Sequence, residues 1–216
     1  IHPLDMRDSH GRFQGKLSIS FRAGFLHRPI VDEYSRLLLN WLSESNKVTF
    51  PLEKIDKVYL THDIDCIAYY RNLRGFLGGV KRNLLNREGL KQVFKSLNKL
   101  TKDPAYTFNW MLEEDNSVPQ AKKLYFIKSP IQKHRCDNPS YSLSGKDFQQ
   151  LISLSKDNGC SLGLHTSYFS GENCSIISKE KEQLEKVLNT TITKNRWHFL
   201  RTLCPTDFEH ISESGI

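Results

Sequence analysis

The string Val58-Tyr59-Leu60-Thr61-His62-Asp63-Ile64-Asp65-Cys66 runs from apolar into acid within a few residues. Val58, Tyr59 and Leu60 have the β-branched, aromatic and apolar character of a buried strand. In a strand alternate side chains share a face, so Asp63 and Asp65 point one way and His62 the other. Two carboxylates on one face repel, unless a cation lies between them or one is protonated. The string therefore points to metal or acid/base chemistry. A turn or helix-cap pair of aspartates after an edge strand is its structural counterpart.

Two later strings have the same form. Cys160-Ser161-Leu162-Gly163-Leu164-His165-Thr166-Ser167-Tyr168 is an apolar run closing on a histidine and hydroxyls. Arg196-Trp197-His198-Phe199-Leu200-Arg201 interleaves cations and an imidazole with aromatics. Each polar cluster falls at or just past the C-terminal end of a strand candidate. In parallel α/β barrels that is the end where chemistry gathers.

The intervening sequence supplies elements that can position these strings. Residues 31–42 place Val31, Tyr34, Leu38, Trp41 and Leu42 at helical spacing, after a turn-rich start with a possible strand over 17–21. A helical region follows Asp65 and is expected to break at Gly75 and Gly78-Gly79. Asp103-Pro104 reads as the start of another helix, and residues 122–128 as a strand. Ser144-Gly145-Lys146-Asp147 resembles a capping box opening a helix that stops at Asn158-Gly159. A further helix runs from Ser178 to Leu188, residues 196–201 form a strand, and a short helix reaches Ile216. Strand and helix alternating in this way predict an α/β fold with parallel strands.

Composition sets the outer bounds. With 216 residues, 38% hydrophobic and 11% aromatic, the chain can bury a sizeable core. It has no apolar run of the length needed to span a bilayer, about 18–20 residues. The net charge is +7, and nine basic residues against one acid lie between Arg71 and Lys102. That stretch suits an anionic polymer, a phosphate-bearing glycolipid or a peripheral membrane contact, with a solvated helix face as the plain alternative. Neither zinc-finger spacing nor an aromatic-interleaved basic strand accompanies it, so nucleic acid is not expected as a partner. Five cysteines, odd in number and without a CxxC, argue against a disulfide framework or a thiolate zinc site and lean towards a cytoplasmic protein.

Taken together, Thr61-His62-Asp63-Ile64-Asp65, Gly163-Leu164-His165-Thr166-Ser167-Tyr168 and Arg196 to Arg201 with Pro205 resemble the polysaccharide deacetylase family, the nodulation-protein-type carbohydrate esterases. The likeness is to a bacterial subgroup with a T-H-D-x-D first motif and a G-L-H second motif, and it covers roughly residues 58–216. It implies a distorted (β/α) barrel over residues 51–216, preceded by a partial N-terminal module over residues 1–50. It also implies a divalent metal, commonly zinc, and removal of N-acetyl or O-acetyl groups from a bacterial glycan or its lipid-linked precursor. Carried over residue by residue, Asp63 is the general base, Asp65 and His165 are metal ligands, and Arg196 or Arg201 orients the base. Ser167 lines the site. Tyr168 is expected either to stack on a sugar or to pack half-buried. For His62, packing and hydrogen bonding is the expected role, with substrate lining as the functional alternative.

Two departures bear on activity. Where the family's second motif carries another histidine, this chain has Phe169, and His198 is the expected replacement ligand. The family's late Leu-x-His motif is missing before Ile216, which predicts a barrel lacking its last strands. The alternatives are an inactive barrel kept as a glycan-binding or scaffold module, or a metal-dependent hydrolase or isomerase acting on a non-acetyl substrate. Sugar, linkage, metal and oligomeric state stay open.

Overall fold

The computed structural model describes residues 6–46, 55–132, 134–201 and 206–216. The chain divides into two compact units, Ile1–Asp56 and Lys57–Ile216.

In the first unit, helix α1 (Ile19–Arg22) is followed by α2 (Ile30–Asn46). The alternating Leu17–Phe21 run is not a strand. Ser18 sits at the start of α1 and its Oγ accepts the Phe21 N–H, so the serines act as a helix cap rather than as one face of a pleat. Helix α2 extends to Asn46, beyond the 31–42 segment read from the sequence.

The second unit is a mixed α/β structure. Strands β1 (Tyr59–Ile64), β2 (Lys122–Lys128), β3 (Ser161–Thr166) and β4 (Asn195–Trp197) form one parallel sheet in chain order. The sheet curls like half of a barrel wall. Helices α3 (Leu73–Arg82), α4 (Arg87–Asn98) and α5 (Phe108–Asn116) connect the first two strands. Helix α6 (Lys146–Asp157) links β2 to β3, α7 (Ile177–Leu188) links β3 to β4, and α8 (Thr206–Glu213) follows. The core between sheet and helices is apolar, built around Ile64, Tyr125, Ile127, Leu151, Leu164 and Leu184. Every parallel strand pair needs such a crossover, and the crossovers bring all four C-terminal strand ends to one edge.

Several boundaries differ from the sequence reading for local reasons. Helix α3 runs unbroken through Gly75, Gly78 and Gly79 and stops at Asn83. A Cβ at Gly79 would lie 2.7 Å from the Tyr70 ring and 3.0 Å from Val93, so this glycine permits close packing instead of ending the helix. Asp103 opens no helix directly. Its carboxylate accepts the N–H groups of Tyr69, Tyr70 and Ala105, and α5 begins only at Phe108. Gly145, not a serine, caps α6, and the Ser144 hydroxyl bonds Ser142 instead. Strand β4 ends at Trp197 because Phe199 and Leu200 take positive φ (58° and 53°) and turn the chain out of the sheet.

Candidate metal centre

Strand register sets the site. Lys128 pairs with His165, and His165 with Arg196, at the C-terminal edge of the sheet. Asp65 follows Ile64, which is level with Ile127, so Asp65 falls level with Lys128 in the same row. His198 arrives from the turn after β4. Three distant segments thus converge on one oxygen: His165 Nε2 is 3.5 Å and His198 Nε2 3.4 Å from Asp65 Oδ1. Ligand atoms of the three residues lie within 4.8 Å of one another.

The outer partners of the two rings fix what the inner nitrogens can be. His165 Nδ1 lies 2.9 Å from the Arg196 carbonyl, and His198 Nδ1 lies 3.0 Å from Asp137 Oδ1. A carbonyl and a carboxylate only accept, so both Nδ1 atoms carry the proton. In the neutral rings the Nε2 lone pairs then face the Asp65 oxygen, an arrangement that repels unless a positive charge lies among the three. Tetrahedral zinc with ligand bonds of about 2.0–2.2 Å has ligand–ligand edges of about 3.3–3.6 Å, the range of the two separations from Asp65 Oδ1. Imidazoles held through Nδ1 by a carbonyl and a carboxylate are the usual support for such ligands. The residues therefore fit a divalent metal held by Asp65, His165 and His198, and nothing in the geometry identifies which metal.

Asp63, on the same face of β1, receives Arg196 Nη1 at 3.0 Å, while Arg196 Nη2 donates to Thr61 Oγ1 at 2.7 Å. The guanidinium also lies over the Phe126 ring, 4.6 Å from its centroid. Asp63 Oδ2 is 3.9 Å from His165 Nε2, close enough for one small molecule to touch both.

Not every expected site residue comes here. Arg201 does not touch Asp63; its Nη1 donates to the Tyr168 carbonyl at 2.8 Å and reaches Glu172 at 3.3 Å. Of the two candidate arginines, Arg196 is the one that reaches Asp63. Tyr168 is buried, with His134 stacked 4.3 Å away and the Arg201 guanidinium 3.9 Å from its centroid. Two groups that close cannot share one face, so both faces of the ring are covered and it offers no platform to a sugar. Ser167 is buried too, its N–H donating to Glu180 Oε2 at 3.0 Å. His62 faces the helices: its Nε2 meets Asp115 Oδ2 at 2.9 Å and its ring packs edge-on to Tyr125. It packs and bonds and does not join the cluster.

Two residues of the centre carry no sequence signal. Lys128 is only 3% exposed, with Nζ 3.6 Å from Asp65 Oδ1 and donating to the carbonyls of Asp137 and Pro139. Burial lowers its pKa, while Asp65 and Asp137 pull it back up. Asp137 receives the Tyr168 N–H at 2.9 Å besides the His198 ring. Burial pushes its carboxyl up, but these bonds hold it below the ordinary value.

Comparison with known proteins reaches only the first unit. A model of a family of unknown function (DUF7033) matches residues 1–47. No curated protein matches the chain, and no solved structure does. The match ends before β1, so the centre at Asp65 is described by its own geometry alone.

Proposed function

We propose that the second unit is a metal-dependent hydrolase of the polysaccharide deacetylase type. It removes an acetyl group from an N-acetylated, or O-acetylated, bacterial glycan or its precursor. The observation carrying this reading is that Asp63, fixed by Arg196, stands beside a three-residue ligand set whose imidazoles are both oriented through Nδ1. Zinc is the metal we assign to this donor set, following the resemblance to the deacetylases. When bound it polarises a carbonyl and brings the pKa of a water to about 7.

The protein's own groups then have definite tasks. Arg196 holds Asp63 Oδ1 and leaves Oδ2 towards His165, where it can take a proton from the attacking water. That proton must reach the sugar nitrogen as the C–N bond breaks and acetate leaves, and Asp63 is the group holding it. Lys128, beside Asp65, ties down the loop that carries Asp137 and so the tilt of His198.

One observation favours a second reading, an inactive barrel that binds glycans or serves as a scaffold. The Lys128 ammonium stands 3.6 Å from Asp65 and can supply the positive charge in place of a metal. Two measurements decide between them. Purified without chelator, the hydrolase holds one zinc per chain and releases acetate from N-acetylated chitooligosaccharides, and Asp63→Asn abolishes release with the zinc retained. Substoichiometric metal that added zinc does not restore would overturn the hydrolase reading in favour of the scaffold.

A further inference from the structure

Helices α3 and α4 form a hairpin whose base is clamped and whose turn is apolar. At the base, Arg71 donates to Asp147 at 2.8 Å and to the carbonyls of Ser96 and Leu97 at the end of α4. Between the helices Phe76 meets Phe94 edge-on at 5.7 Å, and Gly79 lets the Tyr70 ring and Val93 approach. The hairpin is therefore well fixed at its foot. Its turn, Asn83-Leu84-Leu85-Asn86, carries two leucines where polar turn residues are the rule. Leu85 is fully exposed and Leu84 is 64% exposed. Leu73 and Leu77, one turn apart on α3, are exposed as well.

Charge surrounds these leucines with one sign. The hairpin and the turn after it, residues 71–102, hold nine basic residues against Glu88 alone, more than the net +7 of the whole chain. Among the described residues, Glu88 pairs with Lys91, and no carboxylate pairs with Lys81, Arg82 or Arg87, which flank the turn. A solvated helix face explains the lysines and arginines but not bare leucines between them. A phosphodiester polymer would use the cations and leave the leucines in water. An anionic lipid surface uses both, the cations at the headgroups and the leucines among the first acyl carbons.

We propose that the α3–α4 turn is a membrane-docking tip that seats Leu84 and Leu85 in an anionic bilayer, with Lys81, Arg82 and Arg87 on the headgroups. The inference rests on the hairpin alone and holds whether or not the metal centre is catalytic.

The test is flotation of the full chain with vesicles of phosphatidylcholine alone or mixed equally with phosphatidylglycerol. The expected result is binding to the mixed vesicles only, weakening as salt is raised. Leu84→Ser with Leu85→Ser is expected to lower binding at least tenfold, as is Lys81→Gln with Arg87→Gln. All four side chains face solvent, so circular dichroism should stay that of the parent. In Leu85→Trp, brominated acyl chains should quench the new fluorescence. Failure to float with anionic vesicles overturns the proposal, as does equal binding to neutral ones. Binding that survives the double serine change overturns it too. So does a dimer in sedimentation that the serine change dissolves, which would give the leucines to a second copy. RNA binding indifferent to the serine change, with vesicles ignored, would assign the surface to a polyanion instead.

Discussion

His198 gives its Nδ1 proton to Asp137 at 3.0 Å and thereby aims Nε2 at Asp65, 3.4 Å away. The ring has no freedom to choose its tautomer while that carboxylate is ionised. A residue with no sequence signal thus sets which nitrogen of His198 faces Asp65.

Asp137→Asn should therefore weaken zinc binding about 10–100-fold, the usual effect of losing an outer-shell carboxylate. His198→Ala should abolish tight binding. Competition with a chromophoric chelator measures both. Parent-like affinity in His198→Ala would remove His198 from the ligand set.

Arg196→Ala should leave zinc stoichiometry unchanged, because His165 is held by the Arg196 backbone carbonyl and not by its side chain. Acetate release should fall about 10²-fold or more, the scale of a misplaced general base. A matching fall in Arg201→Ala at full zinc content would contradict the separation drawn between the two arginines.

His62→Ala tests packing against lining. It strands the buried Asp115 carboxylate and should cost about 1–3 kcal/mol in urea unfolding. Activity per folded molecule should not change, and a raised KM with unchanged stability would return His62 to the substrate.

Glu180 is fully enclosed, and burial raises its carboxyl from the ordinary 4.5 to about 7. The folded chain keeps this proton up to about pH 7, whereas the unfolded chain releases it near 4.5. Stability should then fall as pH rises through that window, by an amount on the order of 3 kcal/mol. Glu180→Gln can still accept the Ser167 N–H and should flatten the slope. Urea midpoints at pH 5 and pH 8 make the comparison, and parallel pH dependence in the two proteins would refute it.

The sequence carried much of this site for a simple reason. Parallel strands deliver their C-terminal residues to one edge, so Asp63, Asp65, His165, Arg196 and His198 were visible as polar endings of apolar runs. Lys128 also ends a strand, yet a lysine there reads as solvent-facing, and its burial depends on the loop through Pro139 that folds over it. Asp137 lies in that loop without a motif. Tyr168 looked available because one strand shows only its own two faces, and the residues covering the ring, His134 and Arg201, come from elsewhere in the chain. Gly75, Gly78 and Gly79 misled for the converse reason. Glycine weakens an isolated helix by up to about 1 kcal/mol, but here a neighbour occupies the space at two of the three.

The exposure of the cluster is lopsided. His165 is 2% exposed, whereas Asp65 is 52% exposed. The imidazoles form a floor and the carboxylates a rim, open to water on the β1 side. Anything entering meets Asp63 and Asp65 before it meets a nitrogen. A dissolved cation is thus greeted by carboxylate oxygen first and by the enclosed imidazole nitrogens last.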